Sequence, residues 1–122
     1  RLIIVDDTAG GHWTKLVLER FHQSFPDVAK NVISIPRLPY EKFIGLLMIA
    51  DALLDNPFFS GTSAGLVSLG VAAPIVAWPG ELCSARCVTA CYKQMGLSDL
   101  IATDEESFLK LVLRGHRFRG RN

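Results

Sequence analysis

Residues 50–81 read ADALLDNPFFSGTSAGLVSLGVAAPIVAWPGE, and the order of residue types in this stretch decides the fold class. ADALLD is a short apolar run that ends in an acid, as a strand ending at a sheet edge does. NPFFSG carries the Asn, Pro and Gly of a loop. Thr62 and Ser63 stand where a helix begins, and PIVAW reads as a buried strand closed by Pro79 and Gly80. The stretch is therefore strand, loop, helix, strand. A helix N-terminus carrying hydroxyls, just beyond the carboxyl end of a strand, is suited to an anion: its first amides are unpaired and the helix dipole is positive there.

The same alternation extends outward. LIIV at 2–5 is a continuous aliphatic run, closed by Asp6, Asp7 and Thr8 and followed by the flexible pair Gly10–Gly11. Thr14 is the expected cap of a helix in which Leu16, Val17, Arg20 and Phe21 fall near helical spacing, and Pro26 ends the pattern. VISI at 32–35 is the second strand. Residues 41–49 fit a helix with Phe43, Ile44, Leu47 and Met48 on one face. Residues 84–95 predict one further helix, and LIA at 100–102 a short strand. A last helix follows, capped by Thr103 or Asp104, with Glu106 placed for a capping box. Alternating strands and helices joined by short connections predict an α/β domain, a Rossmann-like parallel sheet with helices on both faces. Ligands of such sheets bind outside the carboxyl ends of the strands.

The chain has 122 residues, enough for one domain with its own core, and 49% of them are hydrophobic, which excludes a disordered chain. A net charge of +1 gives no global pull towards nucleic acid or a membrane surface. The basic residues Arg114, Arg117, Arg119 and Arg121 crowd at the end, so residues 1–113 are expected to form the domain and 114–122 a disordered basic tail. No apolar run reaches the roughly 18–20 residues that span a bilayer. The first residues lack the basic-then-apolar order of a signal peptide, and three cysteines without one suggest reduced thiols in the cytoplasm or nucleus. A first residue other than Met is expected of a fragment.

Three groups of residues compete as chemistry. The step Ser60-Gly61-Thr62-Ser63-Ala64-Gly65 offers glycines that let a phosphate approach the backbone, and hydroxyls that add donors; its plainer reading is an ordinary helix cap. Asp6, Asp7 and Asp55 each end a strand. Such acids can hold Mg²⁺, and Asp55 could accept a phosphoryl group, an arrangement that resembles a response-regulator receiver domain. LIATDEE, however, supplies no lysine of the kind a receiver carries at its last strand, and acids facing water are the plainer reading. Cys83, Cys87 and Cys91 are spaced four apart on the helix expected over 84–95. They extend along about 12 Å of helix rise, too far for one zinc ion with Zn–S distances of about 2.3 Å. They read as small buried hydrophobes, and no metal site is expected. His12 has no Ser or Cys nucleophile placed to form a triad with it and reads as structural or surface.

The order of motifs is more specific than any one of them. LPYEKFIGLLMIADALLD, a Gly/Ser/Thr loop, a small-residue helix and LGVAAPIVAWPGELCSARCVTACYKQMGLSDLIA together resemble the catalytic region of the protein O-GlcNAc transferases, the SPINDLY-like group that usually carries tetratricopeptide (TPR) repeats. The similarity runs from about Trp13 to Leu113 and is strongest over 74–102. It implies a GT-B glycosyltransferase of inverting mechanism, with UDP-GlcNAc as donor substrate, no cofactor, and a protein acceptor taking the sugar through Ser or Thr. This chain matches the C-terminal, donor-binding half, without a catalytic residue of its own, so as a fragment it is expected to be inactive.

By position, the resemblance implies Leu38 at the base edge, Phe43 against the uracil ring, and Thr62 and Ser63, with Gly61, on the diphosphate. Arg86 matches an arginine of the family and equally fits a structural ion pair. There are departures. Family members commonly read G-G-x-N-T-T or N-G-x-T-T, followed by a carboxylate that binds the ribose. Here SGTSAGLVSLG is shorter, and Val67 or Gly65 stands in place of the acid. Loss of that acceptor is expected to cost roughly 1–3 kcal/mol. The family's phosphate-binding lysine and its N-terminal domain lie ahead of the matched segment. A degenerate Rossmann-like domain without ligand, and the receiver phosphorylated on Asp55, are the alternatives.

Overall fold

The structure, a computed structural model, describes residues 1–7 and 10–115, and these fall into two compact units, Arg1–Lys42 and the segment beginning at Phe43. The expected α/β class is the one observed, with short parallel strands and intervening helices. Residues 116–122, most of the expected basic tail, lie outside the described residues.

In the first unit, strand β1 (Leu2–Val5) pairs in parallel with β2 (Val32–Ile35), Leu2 opposite Val32 and Val5 opposite Ile35. Parallel strands need a crossover. Helices α1 (His12–Ser24) and α2 (Pro26–Ala29) supply it. Thr14 is not the cap expected of it. Helix α1 starts two residues earlier, at a turn where Gly11 takes φ 80°, the left-handed region that glycine enters freely. The first amides of α1 are met by an acid instead: Asp7 Oδ2 accepts from the backbone of Trp13 at 2.8 Å and of Thr14 at 3.3 Å. Pro26 does end α1, and it also opens α2, where its missing N–H costs nothing.

Helix α3 (Tyr40–Ile49) spans the division between the units, with Leu47 buried and Met48 exposed. Beyond it, β3 (Leu53–Asp55) pairs in parallel with β4 (Ile75–Ala77), Leu53 opposite Ile75 and Asp55 opposite Ala77. Helix α4 (Thr62–Gly70) makes the crossover and closes through Ala72, held at φ 54°. The segment expected as a strand at 100–102 contributes a single parallel bridge, Ala77 to Ile101. Ala77 N donates to Leu100 O at 2.9 Å and Ala102 N to Ala77 O at 2.7 Å, so β4 is hydrogen-bonded on both edges. This central place explains why all three β4 residues are buried. Ile75, Ala77, Val88 and Tyr92 form the core of the unit, with Leu53, Leu69, Leu100 and Ile101 packed around them.

The helix expected over 84–95 is broken. A 3-10 turn at Cys83–Ala85 is followed by Arg86 at φ −127°, and helix α5 runs from Cys87 to Gln94. The three cysteines therefore do not share one helix face. Cys83 is exposed, and Cys87 and Cys91 are half-buried, so the expectation of three buried small hydrophobes is corrected. Helix α6 (Glu105–Leu113) is capped by Asp104, as expected, but its capping-box partner is Ser107 and not Glu106. Glu106 instead pairs with Lys110 one turn on, at 2.6 Å. Among the described residues, no helix is long and apolar enough to cross a membrane.

Candidate functional site

Asp55 ends β3 and is almost fully buried, at 6% exposure. Both of its carboxylate oxygens accept internal hydrogen bonds. Oδ2 takes the Ser60 hydroxyl at 2.8 Å, and Oδ1 takes the Gly61 amide at 3.0 Å. This is how the chain makes its loop-to-helix step. Asn56 orders the start of the loop by accepting from the amides of Phe58 and Phe59, both at 2.9 Å. Ser60 N then donates to Ser84 O at 2.9 Å, tying this loop to the one after β4. Gly80 completes the seam. A Cβ there would stand 1.8 Å from the Pro57 carbonyl oxygen, so only glycine permits the approach.

Gly61 is the N-cap of α4, in extended geometry, and makes no side-chain cap. Its own amide is taken by Asp55, and the first intrahelical bond is Gly65 N to Gly61 O at 2.9 Å. Among the described residues, the amides of Thr62, Ser63 and Ala64 meet no protein acceptor. Three donors at the positive end of a helix are thus presented together, with the exposed Thr62 and Ser63 side chains beside them. Thr62 is additionally oriented by a long contact, its hydroxyl donating to Cys87 Sγ at 3.7 Å.

That contact brings in the start of α5. The Val88 amide donates to Ser60 Oγ at 3.2 Å, so one hydroxyl joins the first turns of both helices. The Val88 side chain sits against Gly65, where a Cβ would lie 2.9 Å from Val88 Cγ2. An acid at position 65 would collide there, and Val67 is half-buried. Arg86, exposed at the N-cap of α5, donates through Nε to Gly80 O at 2.6 Å. Its acceptor is a carbonyl oxygen, and the structural ion pair is not what holds it. Four more guanidinium donors remain on the same fork.

The structure thus gathers Gly61, Thr62, Ser63 and Arg86 at the adjoining starts of α4 and α5. Phe43 lies half-buried on the first turn of α3, and no hydrogen bond or ring contact among the described residues joins it to them. Leu38 is half-buried in the segment between β2 and α3, within the Arg1–Lys42 unit. Sequence reasoning named Asp55 as a candidate phosphoacceptor and Ser60 within the loop-to-helix step, but foresaw neither the hydrogen bond between them nor the close approach that Gly80 allows.

The acid set behaves differently from a metal or phosphoryl site. Asp7 caps α1, and Asp55 is enclosed with both oxygens engaged, whereas a phosphoacceptor must present one oxygen to its donor. Among the described residues, no three of His, Cys, Asp and Glu are grouped to hold a metal ion. His12 is exposed and edge-on to Trp13, with ring centroids 5.3 Å apart.

Neither a family model nor a curated protein sequence matches the chain. Among solved structures, it is similar to a lysine-to-methionine mutant of the O-GlcNAc transferase of Thermobaculum terrenum, with a TM-score of 0.76 and 18% sequence identity. The match covers 100% of this chain and 23% of that one, so this chain spans less than a quarter of the length of its structural neighbour. At that identity the likeness is one of fold: the chain has the α/β fold of a segment of an O-GlcNAc transferase.

Proposed function

We propose that this chain is the donor-binding part of an O-GlcNAc transferase-like glycosyltransferase, whose α4 N-terminus receives the diphosphate of UDP-GlcNAc. The observation that carries the reading is the set of three unpartnered amides at Thr62, Ser63 and Ala64, fixed beyond the end of β3 in a fold shared with such an enzyme. In an inverting transfer to a protein Ser or Thr, negative charge grows on the departing UDP. Preorganised amides and hydroxyls stabilise that charge without a metal ion or cofactor. Arg86 adds a positive charge close by. Phe43 is assigned to the uracil base, by stacking. Residues 1–113 act as the Rossmann-like donor domain, the C-terminal half of a GT-B enzyme of the cytoplasm or nucleus. The remaining catalytic groups belong to the rest of that enzyme, so the chain alone binds nucleotide weakly and transfers no sugar.

Calorimetric titration of the folded chain with UDP tests this. Heat saturating at sub-millimolar to millimolar nucleotide is expected, and no heat in that range would leave the domain a degenerate one without ligand. Incubation with acetyl phosphate and Mg²⁺, followed by intact mass, tests the receiver alternative. The enclosure of Asp55 predicts no gain of a phosphoryl group.

A further inference from the structure

The carboxylate of Asp55 stands in an awkward place for an anion site. A negative charge at the start of α4 opposes a second one arriving there and consumes one helix amide, that of Gly61. Burial makes its placement costly unless both oxygens are satisfied, and both are. What the carboxylate provides in return is geometry. Through Oδ1 it fixes Gly61, the residue that immediately precedes the three free amides. Through Oδ2 it orients Ser60, whose side chain is wholly buried and whose Oγ accepts the Val88 amide of α5.

We propose that Asp55 is the positioning residue of this site: its carboxylate, acting through Gly61 and Ser60, sets the first turns of α4 and α5 in one frame and so aims the amides of Thr62, Ser63 and Ala64 at phosphate. The proposal rests on the reading of that helix start as a diphosphate site, and it deepens that reading by naming what holds the donors in place. Asparagine cannot replace the acid. Its single carbonyl oxygen serves one of the two donors, and its NH₂ group faces the other, leaving the buried Ser60 proton without an acceptor.

The test compares UDP with uridine, which shares the base and ribose but lacks phosphate, on the full chain and on Asp55→Asn. If Asp55 acts by charge, its neutralisation raises affinity for UDP. Because it acts by position, UDP affinity is expected to fall about tenfold in Asp55→Asn while uridine affinity stays within about twofold. Ser60→Ala, which removes both the link to α5 and the donor to Asp55 Oδ2 but leaves the Gly61 bond in place, is expected to lose roughly threefold for UDP. Amide hydrogen exchange gives a readout that needs no ligand. Gly61 and Val88 should exchange faster in Asp55→Asn while Val76 in the core stays protected. An unchanged or higher UDP affinity in a folded Asp55→Asn chain overturns the proposal, and so does a parallel fall for UDP and uridine. Unchanged exchange at Gly61 shows that the bracket itself is absent. A wild-type chain that binds no UDP overturns the diphosphate reading, and with it any phosphate role for Asp55, whatever the exchange shows.

Discussion

Three glycines of one unit serve two different ends, and the difference can be measured. Gly80 and Gly65 are structural, because a methyl group at either would enter occupied space, 1.8 Å from Pro57 O in one case and 2.9 Å from Val88 Cγ2 in the other. Gly61 is not needed for packing. A Cβ there would meet nothing nearer than 3.9 Å, and its φ of −68° suits any residue. If the loop is built for phosphate, Gly61 is glycine to keep the approach to the amides open. Gly61→Ala should therefore melt as the wild type does yet bind UDP about tenfold more weakly. Gly80→Ala must displace backbone and should cost about 3 kcal/mol. Thermal melts and UDP titration of both variants check this, and equal UDP affinity in Gly61→Ala would remove the glycine from the site. At this scale the sequence was legible where chemistry is local, as in the hydroxyls at the start of α4. Asp55 was visible as an acid at a strand end, but its partners were not. Nothing in the spacing shows that Ser60 will turn back to meet it while accepting from Val88, 28 residues away.

Elements were legible where a breaker or a continuous apolar run marks them, and less so where tertiary contacts override local preference. LIIV, VISI, the end of ADALLD and the centre of PIVAW all form strands. The helix expected over 84–95 is interrupted instead, because its first residues serve the neighbouring loop: Ser84 O takes the Ser60 amide and Ala85 O takes that of Gly80 at 3.3 Å. The Val88 amide, which a continuous helix would give to Ser84 O, goes instead to Ser60 Oγ. Helix α6 shows the reverse case, a cap strong enough to act alone. Asp104 Oδ1 accepts from Ser107 N at 2.7 Å, and the Ser107 hydroxyl accepts from the Asp104 amide at 3.1 Å. The Ser107 backbone hydrogen bond holds the Asp104 carboxyl below its usual range. A lowered acid stabilises the fold above its unfolded pKa, and that support is lost as pH falls through the lowered value. Helix α6 should accordingly loosen first on acidification below about pH 4, and Asp104→Ala should loosen it at neutral pH. Trp78 can report this, since its ring lies 5.6 Å from that of Phe108 on α6. In a Trp13→Phe background, red-shifted Trp78 emission is expected in Asp104→Ala. Unchanged emission at neutral pH would show that the cap does not govern the helix.

For the whole molecule, strand pairing is the part that sequence reading could not supply. Each strand was foreseeable from its own residues, but parallel pairing joins segments across a crossover, and nothing local records that β1 takes β2 while β3 takes β4. The stability of the second unit rests on its central strand, and Tyr92 is the point where that dependence becomes testable. Its buried hydroxyl accepts from Ile75 N at 3.0 Å and donates to Ile75 O at 2.9 Å, closing the start of β4 onto α5. Burial pushes its pKa up, the hydrogen bond to Ile75 works against the shift, and the Asp55 charge adds to it. A folded pKa above the unfolded value of about 10 means that the folded chain keeps a proton which the unfolded chain has released. The contribution of Tyr92 is therefore complete below pH 10 and is lost as pH rises through the raised value, with a slope of at most about 1.4 kcal/mol per pH unit. Tyr92→Phe separates this from every other alkaline effect. It should cost about 1–3 kcal/mol at pH 7, because the Ile75 amide is left buried without an acceptor. Its stability should then fall less steeply than that of the wild type as pH rises above about 10. Urea unfolding of both chains across that range measures the difference. Parallel curves would mean that Tyr92 ionises as readily in the folded chain as in the unfolded one, and an unchanged stability at pH 7 would mean that its hydrogen bonds to Ile75 do not hold the strand in solution.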